Sequence, residues 1–90
     1  MAKTFYYKTK LNATTEEQKH SFDKRLRSFH VSNMGTVEVT VEFENAIDAE
    51  SIIIPPRASI SIKADMLDMR YKAASGTAPI YIYGLKHVKD

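Results

Sequence analysis

The sequence predicts an all-β fold: a single-domain antiparallel β-sandwich, jelly-roll-like, of about seven or eight short strands. Three observations predict it. Val37, Val39, Val41 and Phe43 alternate with Thr36, Glu38, Thr40, Glu42 and Glu44, the period of two of a half-buried strand. Turn signals recur every ~8–12 residues from residue 33 to the end, the spacing of stacked sheets. The whole chain is 90 residues, with no linker, repeat or low-complexity tract, which is the size of one domain.

Taken in order, residues 4–11 read as a first strand, with Phe5, Tyr7, Thr9 and Leu11 on one face and Tyr6, Lys8 and Lys10 on the other. The first ten residues are read as an edge strand or as an arm able to add to a neighbour's sheet. Residues 12–24 leave two readings open. Thr15 and Gln18 form a capping box, and Phe22, Leu26 and Phe29 make one helical stripe, which suggests a short helix over 15–29. The competing reading is a polar loop, a short strand near 20–22, a turn at Asp23-Lys24 and a strand over 25–32, with Arg27, Phe29, Val31 and Asn33 on one face. The strand reading is preferred, because the first half of the helix would be almost wholly polar and would lack packing.

Asn33-Met34-Gly35 is a turn, expected from the tolerance of Asn and Gly for positive φ. It leads into the strand over 36–44. After a polar connection, Ser51-Ile52-Ile53-Ile54 is a short apolar strand stopped by Pro55-Pro56, which remove two backbone donors. Residues 58–63 place Ile60 and Ile62 opposite Ser59 and Ser61. Residues 66–73 alternate Leu67, Met69 and Tyr71 with Asp68, Arg70 and Lys72. Ala74-Ser75-Gly76-Thr77 turns into the last strand, 78–86, where Ile80 and Ile82 oppose Tyr81 and Tyr83 and Gly84 marks a bulge or the strand end. The expected core is the Val37/Val39/Val41/Phe43, Ile60/Ile62 and Ile80/Ile82 rows.

Charge is modest overall and uneven along the chain. The net charge is +2, yet residues 1–30 balance at +4, 31–60 at −4 and 61–90 at +2. Such a pattern suits solvated faces, or a basic face on one copy meeting an acidic face on the next, where complementarity sets register more than affinity. A nucleic-acid role would need a more clustered excess, so no specific nucleic-acid partner is expected. The absence of cysteine excludes disulfides and thiolate metal sites and suits a reducing compartment. No apolar run reaches the ~18 residues of a membrane span, and the N-terminus lacks the apolar core of a secretory signal. The expectation is a protein made in the cytoplasm, with no membrane partner.

No chemical motif emerges. His20, His30 and His87 are too widely spaced for a local metal motif, and a hydrogen-bonded or solvated histidine is the default. Asp65 and Asp68 lack the further oxygen ligands of a Ca²⁺ loop and read as turn capping and a solvated carboxylate. Ser75-Gly76-Thr77 lacks a following helix and reads as a hairpin turn rather than a phosphate cradle. No catalytic residue, cofactor, metal or small-molecule substrate is therefore expected. The tyrosines Tyr6, Tyr71, Tyr81 and Tyr83 are the more informative side chains, since an apolar body with a polar tip suits an interface, although cross-strand pairing on a solvated sheet explains them as well.

Three segments carry a resemblance: Arg25-Leu26-Arg27-Ser28-Phe29-His30-Val31-Ser32-Asn33 with Gly35; Ser51-Ile52-Ile53-Ile54-Pro55-Pro56-Arg57-Ala58-Ser59-Ile60-Ser61-Ile62; and Tyr71-Lys72-Ala73-Ala74-Ser75-Gly76-Thr77-Ala78-Pro79-Ile80-Tyr81-Ile82-Tyr83-Gly84. In order and turn pattern, over about residues 25–84, the chain resembles small β-sandwich virion proteins of tailed bacteriophages. It departs from them at Pro56-Arg57, where a glycine is commoner in the turn. The resemblance implies a capsid decoration, collar, tail or fibre component located in the virion.

The expected function is thus a non-enzymatic structural protein of a phage virion, a multi-copy subunit whose partners are copies of itself and other virion proteins. The expected contact residues are Tyr71, Tyr81 and Tyr83 as anchors, with Lys8, Lys10, Arg25 and Arg27 facing acidic neighbours such as Glu38, Glu42 and Glu44. Two alternatives stand beside it. One is a β-sandwich module binding a glycan or host surface through the same tyrosines. The other is a small regulatory or nucleic-acid-binding protein that uses the 15–29 helix.

Overall fold

The computed structural model describes residues 2–63 and 66–89, with side chains for 7–22, 28–63 and 67–84. Among the described residues the chain forms strands only: β1 (Ala2–Ala13), β2 (Gln18–Asn33), β3 (Val39–Phe43), β4 (Ile52–Ile54), β5 (Ser59–Ile62), β6 (Met66–Ala73) and β7 (Ala78–Lys89). Every pairing is antiparallel.

The 16-residue β2 organises the molecule. Residues 18–21, and Leu26 after a register shift, pair with β6, whereas residues 26–33 pair with β7 on one side and, over 29–32, with β5 on the other. Between the two limbs the register breaks, and the strand passes from one layer to the other. Counted by limbs, eight strands form two four-stranded sheets: β1-β7-β2-β5 from the second limb, and β2-β6-β3-β4 from the first. This interleaved order is that of a jelly roll, two Greek keys folded face to face.

The helix considered over 15–29 does not form. Its stripe of Phe22, Leu26 and Phe29 is matched equally well by a bent strand, and the strand wins because it gains two ladders of backbone hydrogen bonds and a core on its inner side. The turn expected at Asp23-Lys24 is a continuous extended crossing. A second irregularity lies between Leu26 and Ser28, where β2 carries one residue more than β7. Its neighbour Gly84 explains why: a Cβ at Gly84 would lie 2.4 Å from Phe29 Cβ and 2.4 Å from the Ser28 carbonyl oxygen, so only glycine permits this approach.

The core lies between the sheets and contains the expected rows. Phe22, Phe29, Val31, Val39, Val41, Phe43, Ile54, Met69, Ala73, Ile80 and Ile82 are buried, with Val37, Ile60 and Ile62 packed against them. An aromatic chain stitches the layers together. Tyr7 meets Phe22 edge-on with centroids 6.2 Å apart, Phe22 meets Phe29 at 5.5 Å, and Phe29 meets Phe43 at 5.6 Å. Tyr71, expected as a surface anchor, belongs to this core at 6% exposure, and burial raises its hydroxyl pKa. The reason is register: Tyr71 opposes Val41 on β3, on the inward side of the pleat.

Asn33 ends β2 and is fully buried, with every polar atom satisfied. Its side-chain amide donates to the carbonyls of Val37 (2.7 Å), Ile54 (3.0 Å) and Pro55 (3.2 Å), while its Oδ1 accepts the Gly35 N–H at 2.9 Å. One side chain thereby ties the turn after β2 to the end of β4. Gly35 is required here for space rather than for positive φ, because a Cβ would come within 2.7 Å of Ala78 Cβ. The Pro55-Pro56-Arg57-Ala58 turn closes with Ala58 N–H donating to Pro55 O at 3.1 Å. Arg57 adopts φ 65° there, the conformation that normally calls for glycine.

The N-terminal stretch is the edge strand, not a free arm. β1 pairs with β7 from Ala2↔Lys89 to Ala13↔Ala78, and Ala13 is completely buried.

Candidate contact surface

Alternation sends one set of side chains outward from the β1-β7-β2-β5 sheet. The register aligns Lys8 with Tyr83, His30 and Ser61 in one row across four strands, and Lys10 with Tyr81, Ser32 and Ser59 in the next. His30 stacks on Tyr83 with centroids 4.9 Å apart at 25°, and Tyr81 meets Tyr83 at 5.4 Å and 67°. Ser61 Oγ and His30 Nδ1 are 2.8 Å apart, and Ser32 Oγ and Ser59 Oγ are also 2.8 Å apart. Lys8 and Lys10 are exposed at the edge. None of the described residues pointing outward here is acidic, so the face is basic, aromatic and hydroxyl-rich. Two shallow hollows flank the Lys10–Tyr81 pair: one of about 290 Å³ lined by Lys10, Met34, Pro79, Ile80 and Tyr81, the other of about 400 Å³ lined by Lys8, Thr9, Lys10 and Tyr81.

The outer face of the other sheet differs. Lys19 pairs with Asp68 at 3.8 Å, and Arg70 donates to Glu17 at 3.0 Å. Glu42 opposes Arg70 and accepts the Ser51 hydroxyl at 2.9 Å and the Phe43 N–H at 3.1 Å. Glu44, at φ 62°, accepts the Leu67 N–H at 3.3 Å, and Glu38 is exposed just before β3. Charges are interspersed here, and much of the carboxylate capacity is engaged within the chain.

Of the residues expected to form contacts, Lys8, Lys10, Tyr81 and Tyr83 therefore converge on one face, whereas Glu42 belongs to the opposite layer. Tyr71 is interior. The side chains of Arg25 and Arg27 lie outside the described residues, as do those of Tyr6, Asp65 and His87. Sequence reasoning missed the His30–Tyr83 stack and the two serine pairs. Their signal was present in Ser59-x-Ser61 opposite Ile60 and Ile62, but the partner strand could not be read from alternation alone.

The surface offers aromatic, cationic and hydroxyl groups to a contact. The Ser61–His30 pair is an exposed hydroxyl–imidazole hydrogen bond on this open sheet face. His20 is the one described histidine on the inner side. Its Nε2 is hydrogen-bonded to Tyr7 Oη at 2.9 Å, its ring packs edge-on to Phe22, and burial lowers its pKa. Among the described residues no three His, Cys, Asp or Glu side chains cluster as metal ligands, and no helix is long and apolar enough to cross a membrane.

No family model and no curated protein sequence matches the chain. Solved structures do share its fold. A Bacillus endospore appendage protein, from a family of disulfide-linked pili, matches with a TM-score of 0.63 and 13% identity over 98% of this chain and 89% of its own. The hydroxypropylphosphonic acid epoxidase from S. wedmorenis in complex with fosfomycin matches with a TM-score of 0.61 and 11% identity, over 86% of this chain and 42% of the enzyme. An iron(II) form of such an epoxidase with substrate matches at 0.61 and 12% identity, over 88% and 45%. The chain thus spans less than half the length of these enzymes. At such identities the likeness defines a class by architecture, the jelly-roll β-sandwich.

Proposed function

We propose that the chain is a non-enzymatic structural subunit of a phage-type particle, acting in many copies through its outer sheet faces. One observation carries the reading: among the described residues the core between the sheets is mainly hydrocarbon and aromatic, while Lys8, Lys10, Tyr81, Tyr83 and His30 gather on one outer face. Jelly rolls are recurrent capsid modules, and the three segments that resemble virion proteins of tailed phages map onto β2, β4–β5 and β6–β7. The Bacillus pilus protein supports a multi-copy role for this architecture, since it matches over most of both chains. Its pili are disulfide-linked, whereas this chain has no cysteine, so contacts between copies here would be non-covalent.

Among the described residues no carboxylate shares the face of Lys8 and Lys10, and the acidic side chains Glu38, Glu42 and Glu44 lie with the other sheet. In this reading their expected attraction would act between copies. A glycan platform is disfavoured by the His30 stack, which covers one face of the Tyr83 ring. Negative-stain microscopy with native mass spectrometry of the purified chain tests the proposal. Rings, trimers or filaments are expected; a chain that stays monomeric and binds on a glycan array would overturn it.

A further inference from the structure

The two sheets present very unequal edges. β4 offers three residues, β5 four, and the first limb of β2 only residues 18–21. β1 is 12 residues long and pairs with β7 alone, so its other side is the one long open edge among the described strands. Along such an edge every second residue turns its N–H and C=O away from the sheet, where an added strand can pair with them. The side chains of this strand are sorted as well. Tyr7, Leu11 and Ala13 pack toward the core, whereas Lys8, Lys10 and Asn12 are exposed on the outer side. Lys8 and Lys10 flank the hollow of about 400 Å³ that Thr9 and Tyr81 complete. Among the described residues no carboxylate shares this face.

The two lysines decide what this edge can hold. A second β1 would pair with it antiparallel about a two-fold axis, and a register centred on residues 8–10 would set lysine against lysine. A strand with carboxylates at alternate positions meets the opposite condition. Side chains directly across an antiparallel pair stand about 4.5–5.5 Å apart, so each lysine gains an anion. We infer that the open edge of β1 over residues 8–12 receives an extended acidic segment of another protein, with Asp or Glu at every second position facing Lys8 and Lys10. The backbone ladder supplies affinity, and the lysines select the sequence and fix its register. The occupant is a different protein, so the inference goes beyond the multi-copy reading, and its failure leaves that reading in place.

Amide NMR of the full chain, titrated with an end-blocked peptide that alternates Glu with Thr, tests this. Signals of residues 8–12 should move, and the amides on the open edge should gain protection from hydrogen exchange, while β4 and β5 stay unchanged. The same peptide with Lys in place of Glu should not bind. Two further versions carry N-methyl groups either on every Glu amide or on every Thr amide. Only one of these sets faces β1 in an added strand, so one version should lose at least ~tenfold in affinity and the other should keep it. Lys8→Glu combined with Lys10→Glu, its fold checked by a dispersed spectrum, should weaken the Glu peptide at least ~tenfold and take up the Lys peptide instead. A wild-type chain that ignores the Glu peptide would overturn the inference. Equal binding of both N-methylated versions would overturn it too, by leaving charge alone as the cause. So would oligothymidylate that moves the Tyr81 and Tyr83 signals and is not displaced by the Glu peptide, since the face would then belong to a single-stranded nucleic acid. Edge protection of β1 that rises with the concentration of the protein alone would give the edge to a second copy and overturn the acidic partner.

Discussion

Asn33 shows how one side chain can hold two sheets. Its amide satisfies three carbonyls that turn and strand end would otherwise leave buried. Replacing Asn33 with Ala strands those acceptors, and the expected loss is about 2–4 kcal/mol of unfolding free energy by urea titration. Arg57 is the opposite case, a residue at odds with its conformation. At φ 65° a side chain costs roughly 1–2 kcal/mol that glycine avoids. Against this stands the greater freedom of glycine in the unfolded chain, so Arg57→Gly is expected to stabilise by about 0.5–1 kcal/mol, read as a higher urea midpoint at constant slope. The resemblance to phage virion proteins had singled out Pro56-Arg57 as a departure from a glycine-bearing turn, and the positive φ of Arg57 is the conformation glycine suits. Tyr71 was misplaced for a plain reason: a tyrosine looks the same in a list whether its ring faces in or out, and only its register against Val41 decides.

At the scale of elements, β2 is the strand on which the fold turns. It serves both sheets, and its bulge sits where Gly84 lets Phe29 approach β7. Gly84→Ala forces a Cβ into Phe29 and the Ser28 carbonyl, and a loss of about 1–3 kcal/mol is expected, seen as a lower thermal midpoint. β1 is bound along its length to β7 and contributes Tyr7, Leu11 and Ala13 to the core margin. Deleting residues 1–13 should therefore unfold the monomer, with loss of dispersed amide NMR signals, rather than only weaken assembly. The strands were legible because their alternation is long and regular. The 15–29 segment was ambiguous because Phe22, Leu26 and Phe29 satisfy a helical period while Phe29, Val31 and Asn33 satisfy a strand period. The choice came from partners distant in sequence, namely Met69 beside His20 and Tyr83 beside His30.

For the molecule as a whole, the layers must stay closed, and one link between them titrates. Tyr7 of the first sheet is hydrogen-bonded to His20 of the second, and burial keeps the His20 pKa below its ordinary value of 6.5. Below that value the unfolded chain takes up a proton that the folded chain resists. Stability therefore rises with pH through this window and falls as pH drops beneath about 6.5. Urea midpoints across this range should show that slope, and His20→Gln, neutral throughout, should flatten its share of it.

By itself, the sequence determined the all-β class and, from residue 33 onward, the strands, the turns and most of the inward rows, because these follow from alternation and from local Gly, Pro and Asn chemistry. It also identified Lys8, Lys10, Tyr81 and Tyr83 as surface residues of interest. Only the tertiary structure decided that these four share one face, that Glu42 lies on the opposite layer and that Tyr71 is core. Alternation assigns a side chain to one of two faces of its own strand. Which strands become neighbours, and which face becomes the inside, depends on hydrogen-bonded pairing between segments far apart in the chain.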